Sequence, residues 1–98
     1  MPARKSPAKA ADGADGSRRE LVLRLRRIEG QLRAVQRMIG EGNDCEPIAQ
    51  QLAAARKALD KAFFELMACA IEHPEFSSGR EDDAARVQRL TRTLAKLA

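Results

Sequence analysis

Cys45, Ile48, Leu52, Ala55, Leu59, Ala62, Leu66, Cys69 and His73 recur at alternating steps of three and four. That spacing is a helix seam, built to pack against another helix. It carries both cysteines and the one histidine of the chain. Sulfur and imidazole thus fall where a neighbouring helix lies. Cys45 and Cys69 are 24 residues apart, about 36 Å along a straight helix at roughly 1.5 Å per residue. They meet only if a second copy runs antiparallel to the first. A site between two subunits couples a small ligand to quaternary shape.

A chain of 98 residues is one small domain with a thin core, because small chains bury a low fraction of their surface. Self-association is the simplest remedy. No apolar run is long enough to cross a membrane, and no basic start, apolar middle and small-residue cleavage site marks a signal peptide. The expected location is therefore cytoplasmic, with no membrane partner. Two cysteines without a secretory signal point to reduced thiols rather than a disulfide framework.

The net charge is only +4, but it is unevenly placed. Arg18 to Ile39 holds seven arginines against two glutamates, a balance of +5, whereas Gly40 to His73 holds three basic and six acidic residues, a balance of −3. Positive charge gathered on one element favours a polyanion such as duplex DNA. With three aromatics and no Trp or Tyr, stacking on single-stranded bases is poorly served; contact with duplex phosphates needs no aromatics.

Residues 1–16 are Ala, Pro, Gly, Lys and Asp without periodicity and read as a disordered tail. Residues 17–98 read as one helical domain, with helices over about 18–39, 45–73 and 80–97. Ser17 is the expected cap of the first. Leu21, Leu25, Ile28, Leu32, Val35 and Ile39 form its seam. Arg19, Arg26, Arg33 and Arg37 fall together on nearly the opposite face. Gly30 lies among them, at a cost of about 1 kcal/mol relative to alanine. It either admits another backbone or is tolerated because packing holds the helix. Gly40 or Gly42 can take the left-handed position that ends the helix. Asn43 or Asp44 can cap the next, and Pro47 fits its first turn. Cys45 then sits at the positive end of that helix.

The short connection makes an antiparallel helix pair. Pro74 stops the second helix near Glu72. A further apolar line, Phe64, Met67 and Ile71 with Phe63 between, calls for burial against more than one partner. One face packs on the first helix and the other on a second subunit. After a loop over 76–80, Ser78 and Glu81 have capping-box spacing. Ala84, Val87, Leu90, Leu94 and Leu97 then give a short third amphipathic helix. The fold class is all-α.

The run from Arg24 to Arg33 (RLRRIEGQLR), then Arg37 to Ile39, Cys45, and Gln50 to Asp60 (QQLAAARKALD) resembles the CsoR/RcnR-like family of bacterial repressors, in order and without a gap. The resemblance spans about Ser17 to His73. It implies a three-helix protomer, a dimer built as an antiparallel four-helix bundle, and a homotetramer of two dimers. It also implies operator binding without a helix-turn-helix, and release when a metal ion or reactive small molecule occupies a subunit boundary. Cys45 matches the family's cysteine, and Arg24 with its basic neighbours matches positions implicated in DNA contact. The copper pattern departs from the family's. Ala70 and Pro74 stand where that pattern has a histidine and a second cysteine, and Asp44 stands where it has tyrosine. The sulfur-sensing pattern also misses its second cysteine at Pro74. The histidines of nickel and cobalt members are absent from the start of the chain. Pro2 is the counterpart of the proline used by formaldehyde sensors, in a longer tail without their histidine.

The residues add a reading of their own. Cys69 and His73 are four apart, one turn apart on one helix face, the spacing by which a helix grips one metal. Cys45 of a second copy would complete a set of two sulfurs and one nitrogen. That set suits copper(I), or zinc with a fourth ligand. The bland alternative is a buried cysteine acting as a small hydrophobe and a histidine capping carbonyls. The expectation is a repressor, not an enzyme: no paired acid and base and no substrate cleft is visible. Cys45, Cys69 and His73 would take the inducer. Arg19, Arg24, Arg26, Arg27, Arg33, Arg37, Arg56, Lys57 and Lys61 would hold operator duplex. The alternatives are the same repressor sensing sulfane sulfur or formaldehyde through Cys45, or a helical interaction module with no ligand.

Overall fold

The seam of the first helix lies within one continuous element. The computed structural model describes residues 9–76 and 81–98, and α1 runs Lys9–Gly40. Ser17 is therefore an interior residue of α1 and not its cap, which corrects the expected start. The helix extends back through residues 9–16, which composition alone marks as unstructured. Ala10, Ala11 and Ala14 are strong helix formers, and lengthening an existing helix costs far less than nucleating one. Residues 1–8 of the expected tail lie outside the described residues.

Gly42, with φ of 75°, is the residue that ends α1. Asn43 N–H donates to the Met38 carbonyl at 3.0 Å and Gly42 N–H to the Ile39 carbonyl at 3.1 Å. These are the two bonds of a Schellman motif, which satisfies the last carbonyls of the helix. Only glycine takes the left-handed conformation without a Cβ clash. Asp44 is the N-cap of α2 (Cys45–Glu72), in extended conformation and without a side-chain cap hydrogen bond. The C-cap of α2 is His73, whose N–H donates to the Cys69 carbonyl at 2.8 Å. Pro74 has no N–H to continue the helix, and the chain enters a 3-10 turn over Pro74–Phe76.

The third helix, α3, runs Asp83–Leu97, and its N-cap is Asp82, not Ser78. Asp82 Oδ1 accepts from Ala85 N–H at 2.8 Å. An aspartate at this place satisfies an orphan donor and favours the positive helix end, so it outcompetes a serine further back. Ser78 lies outside the described residues. Arg86 fastens α3 to the hairpin. Its guanidinium, 6% exposed as a residue, donates to the Ile71 carbonyl at 2.9 Å and to Asp83 at 2.8 Å.

The α1–α2 hairpin encloses little. Its buried apolar residues are Ile28 and Val35 on α1 and Ala55, Ala62, Met67 and Cys69 on α2, joined by Leu90 from α3. The molecule measures 53 × 41 × 16 Å. Since one helix with its side chains is about 10–12 Å across, the protomer is a single layer. Its faces keep Leu25, Ile39, Leu52, Leu59, Phe64 and Leu66 exposed. The described residues are all-helical or turn, without strands, and none of their helices is long and apolar enough to cross a membrane.

Candidate functional site

The single seam of α2 divides into two lines once the helix is packed. Ala55, Ala62 and Cys69, seven residues apart, are 0%, 4% and 8% exposed and face α1, with Ile48 half-buried at the head of the line. Cys45, Leu52, Leu59, Leu66 and His73 form the other line, also seven apart. Its first four members are exposed and His73 is half-buried. The chemistry-bearing residues are therefore separated. Cys45 and His73 end the outward line. Cys69 belongs to the inward one.

Both thiols are free. Cys45 is the first residue of α2 and open to solvent. Cys69 lines a cleft between the start of α1 and the last turns of α2, with Arg19, Glu20, Arg24, Glu65 and Glu72. Among the described residues, no three His, Cys, Asp or Glu side chains come close enough to hold a metal within one protomer. One protomer thus does not fit a metal; the sulfur and nitrogen donors suit a soft ion only when two chains pool them.

The basic candidates also divide. Arg19, Arg26, Arg27, Arg33 and Arg37 are exposed along α1, and Arg56, Lys57 and Lys61 are exposed on α2. Arg24 is half-buried. Its Nε donates to Glu65 Oε1 at 2.7 Å and its Nη2 to Oε2 at 3.0 Å, a bidentate pair across the hairpin. Reasoning from the sequence missed Glu65. The signal was there: Arg24 lies about 60° from the centre of its seam at 3.6 residues per turn, and Glu65 immediately precedes Leu66 of the other. Opposite charges flanking two facing seams pair in this way. Gly30 has nothing within 4 Å of where a Cβ would be, so no backbone within the protomer approaches it.

An all-helical hairpin with a basic first helix and cysteines along the second defines a regulator that binds and responds, with no catalytic constellation among the described residues. The family described as metal-sensitive transcriptional repressor matches residues 17–96, and the chain belongs to that family. DNA is thereby its class of partner and a metal ion the family's class of effector. The chain is also similar to a Serratia marcescens protein described as "Uncharacterized protein in bioA 5'region", 40% identical over 42 residues. That stretch is 43% of this chain, and the chain spans only 46% of that relative's length. No solved structure matches the chain.

Proposed function

We propose that this chain is a cytoplasmic repressor that self-associates through the outward line of α2 and leaves its operator when an inducer engages that line's ends. The observation that carries the reading is the seven-residue repeat Cys45, Leu52, Leu59, Leu66, His73, with its large apolar members exposed. The line reads onto itself when reversed about Leu59. In an antiparallel second copy, Leu52 meets Leu66, Leu59 meets its twin, and Cys45 meets His73. The exposed Leu25 and Ile39 of α1 extend the apolar face, as a four-helix bundle dimer requires. A dimer of such dimers is the assembly that the family resemblance adds.

In this reading Cys45 of one copy and His73 of the other hold the inducer, with Cys69 one turn behind. A thiolate and an imidazole suit copper(I), and zinc with further ligands. The ion supplies a bond between two subunits. The chain's residues set the register in which that bond can form. Binding that favours one quaternary arrangement lowers affinity for DNA by linkage. Arg19, Arg26, Arg27, Arg33 and Arg37, with Arg56, Lys57 and Lys61, would neutralise phosphates, and Arg24 would join them on release from Glu65.

A second reading rests on the exposure of Cys45: a thiol-reactive inducer, such as sulfane sulfur or formaldehyde, modifies it without a metal. Anaerobic titration with copper(I), zinc and a polysulfide, reading release of duplex DNA from the region flanking the chain's own gene, separates the two. A metal site loses its response in Cys45→Ala and His73→Ala alike. A thiol switch survives His73→Ala. If the wild-type chain fails to bind that duplex at low salt, a helical interaction module replaces the repressor reading.

A further inference from the structure

Arg24 differs from the other α1 arginines named above in being already occupied. Both oxygens of Glu65 are engaged, at 2.7 and 3.0 Å, in the fork geometry that makes arginine–carboxylate pairs strong. The same fork is the one arginine offers to a phosphate. Arg24 cannot present it to both at once. The side chains of the pair are 25% and 41% exposed, so a phosphate can reach the pair and compete with the carboxylate. Glu65 would also repel that phosphate.

The pair spans α1 and α2, and its two residues line the same cleft as Cys69 and Glu72. Glu65 stands one helical turn before Cys69. A shift of the last turns of α2 against α1 therefore acts directly on the pair. Resting on the repressor reading, we infer that Glu65 withholds Arg24 from DNA, and that exchange of this carboxylate for a phosphate is a step in operator binding. Glu65 is then a positioning residue that weakens DNA affinity in the form described and keeps it adjustable.

The experiment is Glu65→Gln, which is nearly isosteric, removes the charge and leaves an amide able to accept one hydrogen bond. Duplex affinity of the full chain is measured from about 0.05 to 0.3 M salt for wild type, E65Q, R24A and the double variant R24A/E65Q. Each additional phosphate neutralised steepens the log–log salt slope by about 0.9, equivalent to roughly eightfold tighter binding at 0.1 M salt. E65Q should show the steeper slope and the tighter binding, and R24A/E65Q should bind no better than R24A. The charge-swapped variant R24E/E65R keeps a pair across the hairpin and should bind more weakly than wild type, which guards against a folding defect in any single variant. Wild type binding DNA while E65Q shows an unchanged or shallower slope overturns the inference and leaves the repressor reading intact. Wild type showing no salt-dependent binding overturns both.

Discussion

The Arg86 guanidinium donates to the Ile71 carbonyl at 2.9 Å and so closes the last turn of α2 with a residue of α3. That turn carries Cys69, and His73 follows it directly. Truncating Arg86 leaves a helix-terminal carbonyl without its partner, at a cost of about 1–3 kcal/mol. Arg86→Ala should therefore lower stability by that amount in urea titration. Hydrogen exchange should accelerate in α3 before it does in the α1–α2 hairpin. Arg86→Lys should not restore it, because an ammonium does not reproduce the planar fork.

Two glycines lead to opposite predictions. Gly42 has φ of 75°, where a Cβ is strained by about 1–2 kcal/mol; Gly42→Ala should destabilise by that much. Gly30 is helical with open space around it, so Gly30→Ala should stabilise by up to about 1 kcal/mol. Chemical denaturation of both variants checks the pair. A loss of duplex affinity in Gly30→Ala at unchanged stability would reveal a close approach by DNA at that point.

The two lines of α2 can be told apart by substitution. Leu59 is 44% exposed, so Leu59→Glu should leave the helical circular dichroism of the protomer intact while abolishing self-association in sedimentation. Ala55 is fully enclosed. Ala55→Leu overpacks the hairpin and should cost about 1–3 kcal/mol. Unchanged association of Leu59→Glu would remove the outward line from the interface.

Thiol labelling supplies the fourth test. Cys69 is buried against α1, so its reaction with an aromatic disulfide reagent should wait on opening of the hairpin and speed up sharply with denaturant. The exposed Cys45 should react without that delay whenever its line is uncovered. Equal rates in native protein would contradict the division of the seam.

Much of this was legible in the residues. Periods of three and four placed three helices and both seams, and Gly42 and Pro74 supplied helix ends, because these signals are local and strong. What was not legible depends on competition between neighbouring signals or on a partner in space. Ser17 and Asp82 show the first kind: any serine before a seam can cap, but alanines extended α1 past Ser17 and an aspartate nearer α3 took the cap there. Cys69 and Arg24 show the second. A stripe drawn at steps of three and four cannot say which members face α1 and which face outward. An arginine column drawn on one helix cannot show which member meets a glutamate on the next.

A slab of helices only 16 Å deep has two outsides and almost no inside. Whatever covers the leucines of one outside adds folding free energy along with company. The integrity of this chain is then tied to its abundance: scarce copies are fragile copies, and the cell's supply of the protein becomes one of its own control variables.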